Sequence, residues 1–294
     1  MLEEYLARLR TALAGADPAT IQDALADAEE HLASALAQLK EKDPAIVEES
    51  AMANIMESYG TPDEVAAAYK EMESMTPIAF AQPSPGGLVR RKPGFFGVLG
   101  DLHAYAALLY MLLSLVTGIV YFTWATAGLS LSLGLLVLII GIPFLSAFLL
   151  SIRGLALIEG RLVEAVLGER MPRRPVFFRS DLGWLKGIKA LFTERTTWTA
   201  LLYMILQMPL GIIYFTFMIT CIAVALAFMA TPILHYVFDT PFVQTDHHDY
   251  FLPAWMMPLL VIGGFFLLIV TLHLARGVGR LHGRYAKKLL VKGD

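Results

Sequence analysis

Cysteine is almost missing from this chain: Cys221 is the one thiol in 294 residues, and it lies in an apolar run. A single thiol makes neither an intrachain disulfide nor a cysteine-based zinc site. Cys221 is therefore expected to act as a small hydrophobe facing lipid or a neighbouring helix. Charge is scarce too. Charged residues make up 17% of the chain, against about 25% in soluble domains. No Lys or Arg occurs in 103–152 or in 196–275, and the apolar stretches there contain no Asp or Glu. Intramembrane charges mark ion and proton paths, so their absence argues against a pump or an ion-coupled transporter. A secretory signal needs a basic start and an apolar core. The first ten residues, MLEEYLARLR, are instead charged and amphipathic, which predicts an N-terminus that stays in the cytoplasm. No Ser-His-Asp order, zinc-hydrolase helix motif or glycine-rich phosphate loop stands out. Nothing in the sequence assigns catalysis, and the chain is read as a non-enzyme.

What is present is hydrophobicity and a divided charge. The chain is 56% hydrophobic, with mean hydropathy +0.59. Residues 1–75 hold 16 acidic and five basic side chains, while 76–294 hold ten acidic and 18 basic ones. The acidic part reads as three or four short helices. Leu2, Tyr5, Leu6, Leu9 and Leu13 recur at helical spacing, and Gly15 ends the stripe. Asp17-Pro18 and Asp43-Pro44 read as helix starts, since Asp caps free amides and proline fits the first helical position. Thr61-Pro62-Asp63-Glu64 reads as a capping box. The acidic face, including Glu29 and Glu30 beside His31, is expected to be solvated and repelled by nucleic acid. A Pro/Gly linker, 76–94, ends in Arg90-Arg91-Lys92, which suits anionic headgroups.

Residues 95–294 contain a duplication. Leu108-Leu109-Tyr110-Met111 and Gly118-Ile119-Val120-Tyr121-Phe122-Thr123 recur 93 residues later as Leu201-Leu202-Tyr203-Met204 and Gly211-Ile212-Ile213-Tyr214-Phe215-Thr216. Arg153-Gly154-Leu155 and Gly160-Arg161 recur at an offset of 123 as Arg276-Gly277-Val278 and Gly283-Arg284. The second half therefore carries an insertion of 30 residues. Each half has two apolar stretches, 104–124 and 129–152, then 198–230 and 253–275; about 20 apolar residues make a span. Arg and Lys crowd the central connection and the C-terminal tail, so the positive-inside rule places both termini and that connection in the cytoplasm, with the joint Trp124 to Ser132 and the longer joint of the second pair facing outward. The fold predicted is all-α. A small cytoplasmic domain, 1–75, precedes a four-helix membrane domain, 95–294, made of two tandem repeats of one orientation, about 95–170 and 180–294. Phe95–Leu102 and Trp184–Phe192 are expected to be interfacial helices before the first and third spans. Pro143 and Pro209 are expected to kink the second and third.

Two groups of residues are candidate sites. The outward insertion holds His235, Asp239, Asp246, His247, His248 and Asp249. Such donors suit a divalent Zn, Ni, Cu or Mn ion, histidine protonation would make a pH sensor, and a loop that merely keeps the joint in water is the plain alternative. The second group is Tyr110, Tyr121, Tyr203 and Tyr214, repeated in both halves. They are candidates to line a ligand pocket between the halves, with packing or interfacial anchoring as the alternative. Gly118 and Gly211 are expected to permit close helix approach.

The segments Tyr5-Leu6-Ala7-Arg8-Leu9, Ala28-Glu29-Glu30-His31-Leu32 and Tyr59-Gly60-Thr61-Pro62-Asp63-Glu64-Val65-Ala66 resemble the HAAS signalling domain, named for its association with PadR-like transcriptional regulators. The repeat motifs, with Gly141-Ile142-Pro143 and Arg153-Gly154-Leu155, resemble the Putative sensor membrane domain of bacterial and archaeal signalling proteins. That family often precedes a histidine kinase; here no kinase follows and the HAAS-like domain comes first. The resemblances imply a membrane sensor that passes a stimulus to a cytoplasmic regulator, without direct nucleic-acid binding. A lipid or small-molecule carrier and a membrane enzyme with an outer-loop metal site are the alternatives. Membrane lipids are expected partners, and four spans make a homodimer plausible.

Overall fold

The computed structural model describes residues 1–43, 46–75, 94–137, 141–172, 191–238, 241–244, 249–250 and 252–291. Its helices are α1 (Leu2–Ala12), α2 (Pro18–Lys42), α3 (Glu48–Tyr59), α4 (Pro62–Met75), α5 (Leu102–Leu135), α6 (Gly141–Leu167), α7 (Arg195–Phe238) and α8 (Met257–Leu290). Short 3₁₀ turns at Phe95–Gly100 and Ala254–Met256 precede α5 and α8. In the insertion of the second half Val243–Gln244 pairs antiparallel with Asp249–Tyr250, a two-residue ladder. The chain divides into two compact units. The first contains 1–82, 124–204 and 283–294, and the second contains 83–123 and 205–282.

Within the first unit, α1–α4 enclose a core of Tyr5, Leu9, Leu13, Ala24, Ala28, Leu32, Met52, Ile55 and Ala66. Tyr5, Leu9 and Leu13 of the first stripe lie in it, and Leu2 and Leu6 pack against it partly buried. Tyr5 spends its hydroxyl on the Gly60 carbonyl at 2.8 Å, joining the first helix to the turn before α4. Asp17 caps α2 through the Ala19 amide, with Pro18 in the first turn. The capping box closes both ways: the Thr61 amide donates to Glu64 at 2.9 Å, and the Glu64 amide reaches Thr61 Oγ1 at 3.4 Å. Asp43 behaves differently from expectation. Its amide bonds back to Leu39, so it ends α2 rather than starting α3, which begins four residues after Pro44 at Glu48.

Among the described residues, four helices are long and apolar enough to cross a membrane. Their boundaries differ from those read off polarity. Trp124 to Ser132, expected to be the first outward joint, is helical, and α5 continues to Leu135. No proline interrupts the segment, and Ser132 satisfies its hydroxyl on the Gly128 carbonyl at 2.6 Å. Pro143 lies in the first turn of α6. No amide is required there, so it begins the helix instead of bending it. Pro209 does lie inside a continuous helix. The 34 residues of α5 reach about 50 Å at 1.5 Å per residue, beyond a hydrocarbon layer of about 30 Å. Helices this long carry their packing past the bilayer core. The linker up to Pro93 and the Trp184–Ile188 part of the second interfacial helix lie outside the described residues.

Two outcomes test the capping turn. Gly60 adopts φ 109°, ψ 161°, a region nearly closed to other residues. Gly60→Ala should therefore cost roughly 1–3 kcal/mol, read as a lower thermal midpoint of the purified chain. The Thr61 amide and hydroxyl hold the Glu64 carboxyl below its ordinary 4.5. The folded value is the lower one, so this stabilisation is complete above 4.5 and lost as pH falls through the folded value. Glu64→Gln should flatten that acid limb of the unfolding-against-pH curve.

Candidate functional site

The repeat offsets give the polar contacts of the membrane helices an unexpected order. Arg153 on α6 pairs with Glu194 at 2.6 Å and donates to Thr197 at 2.6 and 3.0 Å. Arg276 on α8 pairs with Asp101 at 2.9 Å. Arg276 lies 123 residues after Arg153, and Glu194 lies 93 after Asp101. The two ion pairs are thus copies of each other. In each, the second helix of one half holds the residue that precedes the first helix of the other half.

The tyrosines repeat the pattern. Tyr110 on α5 is hydrogen-bonded to His282 Nε2 at 2.8 Å, and Tyr203 on α7 donates to Glu159 at 2.8 Å. Tyr203 follows Tyr110 by 93 and His282 follows Glu159 by 123. All four side chains are buried. Tyr214 lies 3.4 Å from the other nitrogen of His282, so Tyr110 and Tyr214 meet on one imidazole in the second unit. Tyr203 belongs to the first unit, where it stacks on Tyr285 with centroids 5.5 Å apart. Tyr121 is 5% exposed. Two of the four tyrosines thus share His282 in the second unit, and Tyr203 meets Glu159 in the first.

A third duplicated contact brings α5 and α7 together in the second unit. A Cβ on Gly118 would lie 2.7 Å from the Gln207 carbonyl, and one on Gly211 would overlap the Ser114 carbonyl. Ser114 and Gln207 are themselves 93 apart. Each helix thus presents a polar residue and, four positions on, a glycine, and the two motifs interlock backbone to backbone. Ser114 satisfies its hydroxyl on Met111 at 2.6 Å. Gln207 is fully buried, and neither its amide nitrogen nor its oxygen has a hydrogen-bond partner among the described residues.

The N-terminal domain has its own contact in the first unit. Asp17, while capping α2, forms an ion pair with Lys287 near the end of α8. Beside it lies a half-open cleft of about 80 Å³, lined by Gln22, Arg153, Ala156, Leu157, Gly160, Met171, Pro172, Glu194, Thr196, Ala200 and Leu290. Of the His/Asp group in and beside the insertion, His235 is half-buried against Tyr236, edge to face at 4.9 Å. Asp239, Asp246, His247 and His248 lie outside the described residues, as does the side chain of Asp249.

Glu159, His282, Asp101, Glu194 and the Ser114–Gln207 pair were not picked out from the sequence. Applying both offsets to every polar residue would have found them. Two predictions follow from the duplicated contacts. Gly211→Ala should destabilise the protein in detergent, whereas Gly277→Ala, where a Cβ meets nothing within 4 Å, should show no packing penalty. Glu194→Gln leaves Arg153 without its counter-charge and should cost about 1–3 kcal/mol. Exchanging the charges, Arg153→Glu with Glu194→Arg, should restore part of that in a double-mutant cycle.

The same segments are those that family comparisons recognise. Residues 4–68 match the HAAS family, and residues 110–290 match the family described as Putative sensor. No curated protein and no solved structure matches the chain. Four candidate spans with a sensor domain make this a multi-pass membrane protein with a sensing and signalling role. The second match covers more than half of the sequence, and the chain belongs to the Putative sensor family.

Proposed function

We propose that the protein is a multi-pass sensor of the cytoplasmic membrane that signals to a cytoplasmic protein through residues 1–75. Both termini lie in the cytoplasm. The membrane domain receives the stimulus, and the acidic domain binds the recipient, a PadR-like transcriptional regulator being the kind that the HAAS resemblance implies. The protein acts by binding and by shifting contacts rather than by catalysis.

The observation carrying this reading is the Asp17–Lys287 ion pair. It ties the α2 cap to the last turn of α8, in the same compact unit as Arg153–Glu194 and Tyr203–Glu159. A change in how α6 and α7 pack thus has a route to the acidic domain that does not depend on the linker. The orientation rests on arginine and lysine crowding the central and C-terminal segments while the apolar stretches have none.

Co-purification from native membranes tests it. The full chain should capture a DNA-binding regulator, and a chain without residues 1–75 should not. Asp17→Asn keeps a capping oxygen but loses the charge facing Lys287. It should shift the output of a reporter driven by that regulator several-fold, with little change in thermal midpoint. A chain that captures no regulator, and whose signalling survives removal of 1–75, would sink the reading.

A further inference from the structure

We infer that the cleft beside Arg153 is a binding site for an amphiphile with an anionic head, which displaces Glu194 from the Arg153 guanidinium. This deepens the sensor reading by naming a ligand class, and it rests on that reading only for the consequence of binding. The walls are mostly apolar: Ala156, Leu157, Met171, Pro172, Ala200 and Leu290. Arg153 and Glu194 are the charged groups on its lining, with Gln22 and Thr196 adding polar contacts. A water centre needs roughly 10–15 Å³ by the same measure, so about 80 Å³ holds several waters' worth of ligand: a head group and its first methylenes. Arg153 is also the first cation after the apolar stretch that begins at His103, which places it where a leaflet presents head groups.

The two copies of the ion pair show why this one exchanges. Asp101 is held twice, by Arg276 and by the His103 amide at 3.2 Å, so it serves as a helix cap as well as a counter-charge. Glu194, its counterpart, has Arg153 as its one side-chain partner among the described residues. It stands in the single non-helical position before α7 and is the more exposed carboxylate, 26% against 17%. An oxygen of an incoming carboxylate or phosphate can take the place of Glu194 Oε2 on Arg153 Nη2. Glu194 then leaves for water at little cost, while Thr197 keeps Arg153 in place. Gln22 brings α2 to the cleft wall, and Asp17 of the same turn region carries the Lys287 pair. Occupancy therefore alters the surface on which the acidic domain rests.

The test uses the full chain in phosphatidylcholine nanodiscs, with dansyl-undecanoic acid as the probe. Wild type should bind saturably, and the neutral dansyl-undecanoyl amide at least tenfold more weakly. Ala156→Phe, which fills the cleft and leaves the ion pair, should weaken the acid at least tenfold. Arg153→Lys keeps the charge but loses the fork, and should weaken it several-fold. Glu194→Gln removes the competing carboxylate and should tighten binding several-fold, an effect that general loosening of the fold would not produce. Equal binding of acid and amide, indifference to Ala156→Phe, or unchanged or weaker binding by Glu194→Gln would each overturn the site. Displacement by phosphatidylglycerol supports a leaflet lipid as the source and displacement by decanoate a free acid; displacement by neither overturns the assignment. Binding is read on the protein alone and signalling on the reporter. Lost binding with an intact regulator response therefore removes the site and spares the sensor reading, and the converse removes the reading and spares the site.

Discussion

Within hydrocarbon, apolar side chains gain nothing by leaving lipid for one another, so helices associate through close packing and polar contacts. The rest of this structure depends on how the chain meets that constraint without a single charge in its apolar stretches. Its answer is a set of contacts made twice. Gly118 and Gly211 let the backbones of α5 and α7 approach until each would clash with a Cβ from the other. Arg153–Glu194 and Arg276–Asp101 then join segments of opposite halves, and Tyr203–Glu159 and Tyr110–His282 do the same with buried hydrogen bonds. These duplicated pairs run between halves, whereas Trp124–Ser151 joins α5 to α6 and Tyr214–His282 joins α7 to α8.

The sequence made some of this legible and concealed the rest for a physical reason. Capping is local chemistry, so the Thr61–Glu64 box and the Asp17 cap could be read from four or five residues. The repeat was legible because copied residues keep their identity at fixed offsets. Contacts were not, because the alignment equates Asp101 with Glu194 while the bond runs from Asp101 to Arg276. That partner becomes visible only when the offsets of 93 and 123 are applied together to both members of a pair. The first outward joint was misplaced because threonine, serine and glycine between 124 and 132 look like loop composition. In an apolar setting a serine hydroxyl returns to its own helix, as Ser132 does on Gly128, and the helix runs on. Asp43 was misread because an Asp-Pro pair looks the same when it ends one helix as when it begins another.

Duplication also explains why the tyrosines recur. Tyr110 and Tyr203 recur because both seal the same kind of contact, yet their partners have diverged to a histidine and a carboxylate. A hydroxyl serves either, since it donates to Glu159 and can donate to or accept from an imidazole. Tyr214 adds its hydroxyl to the histidine copy. The repeated residue is thus the adaptable one, and the character of each copy lies in its non-identical partner, which a search for recurrent motifs passes over.

Divergence of that kind is where a symmetric scaffold acquires direction. Were the two ion pairs equivalent, a ligand able to compete at one would compete at both, and the membrane domain would respond the same way at each copy. Asp101 has been committed to capping α5 and cannot leave Arg276 without also giving up the His103 amide. Among the described residues, Glu194 carries no such second duty. The N-terminal domain is tied down beside Glu194, through Asp17 and Lys287, within one compact unit. The labile copy and the signalling domain therefore occur together. On the proposed reading, the free-energy difference between leaving one contact and leaving two would give a duplicated membrane domain a single output face.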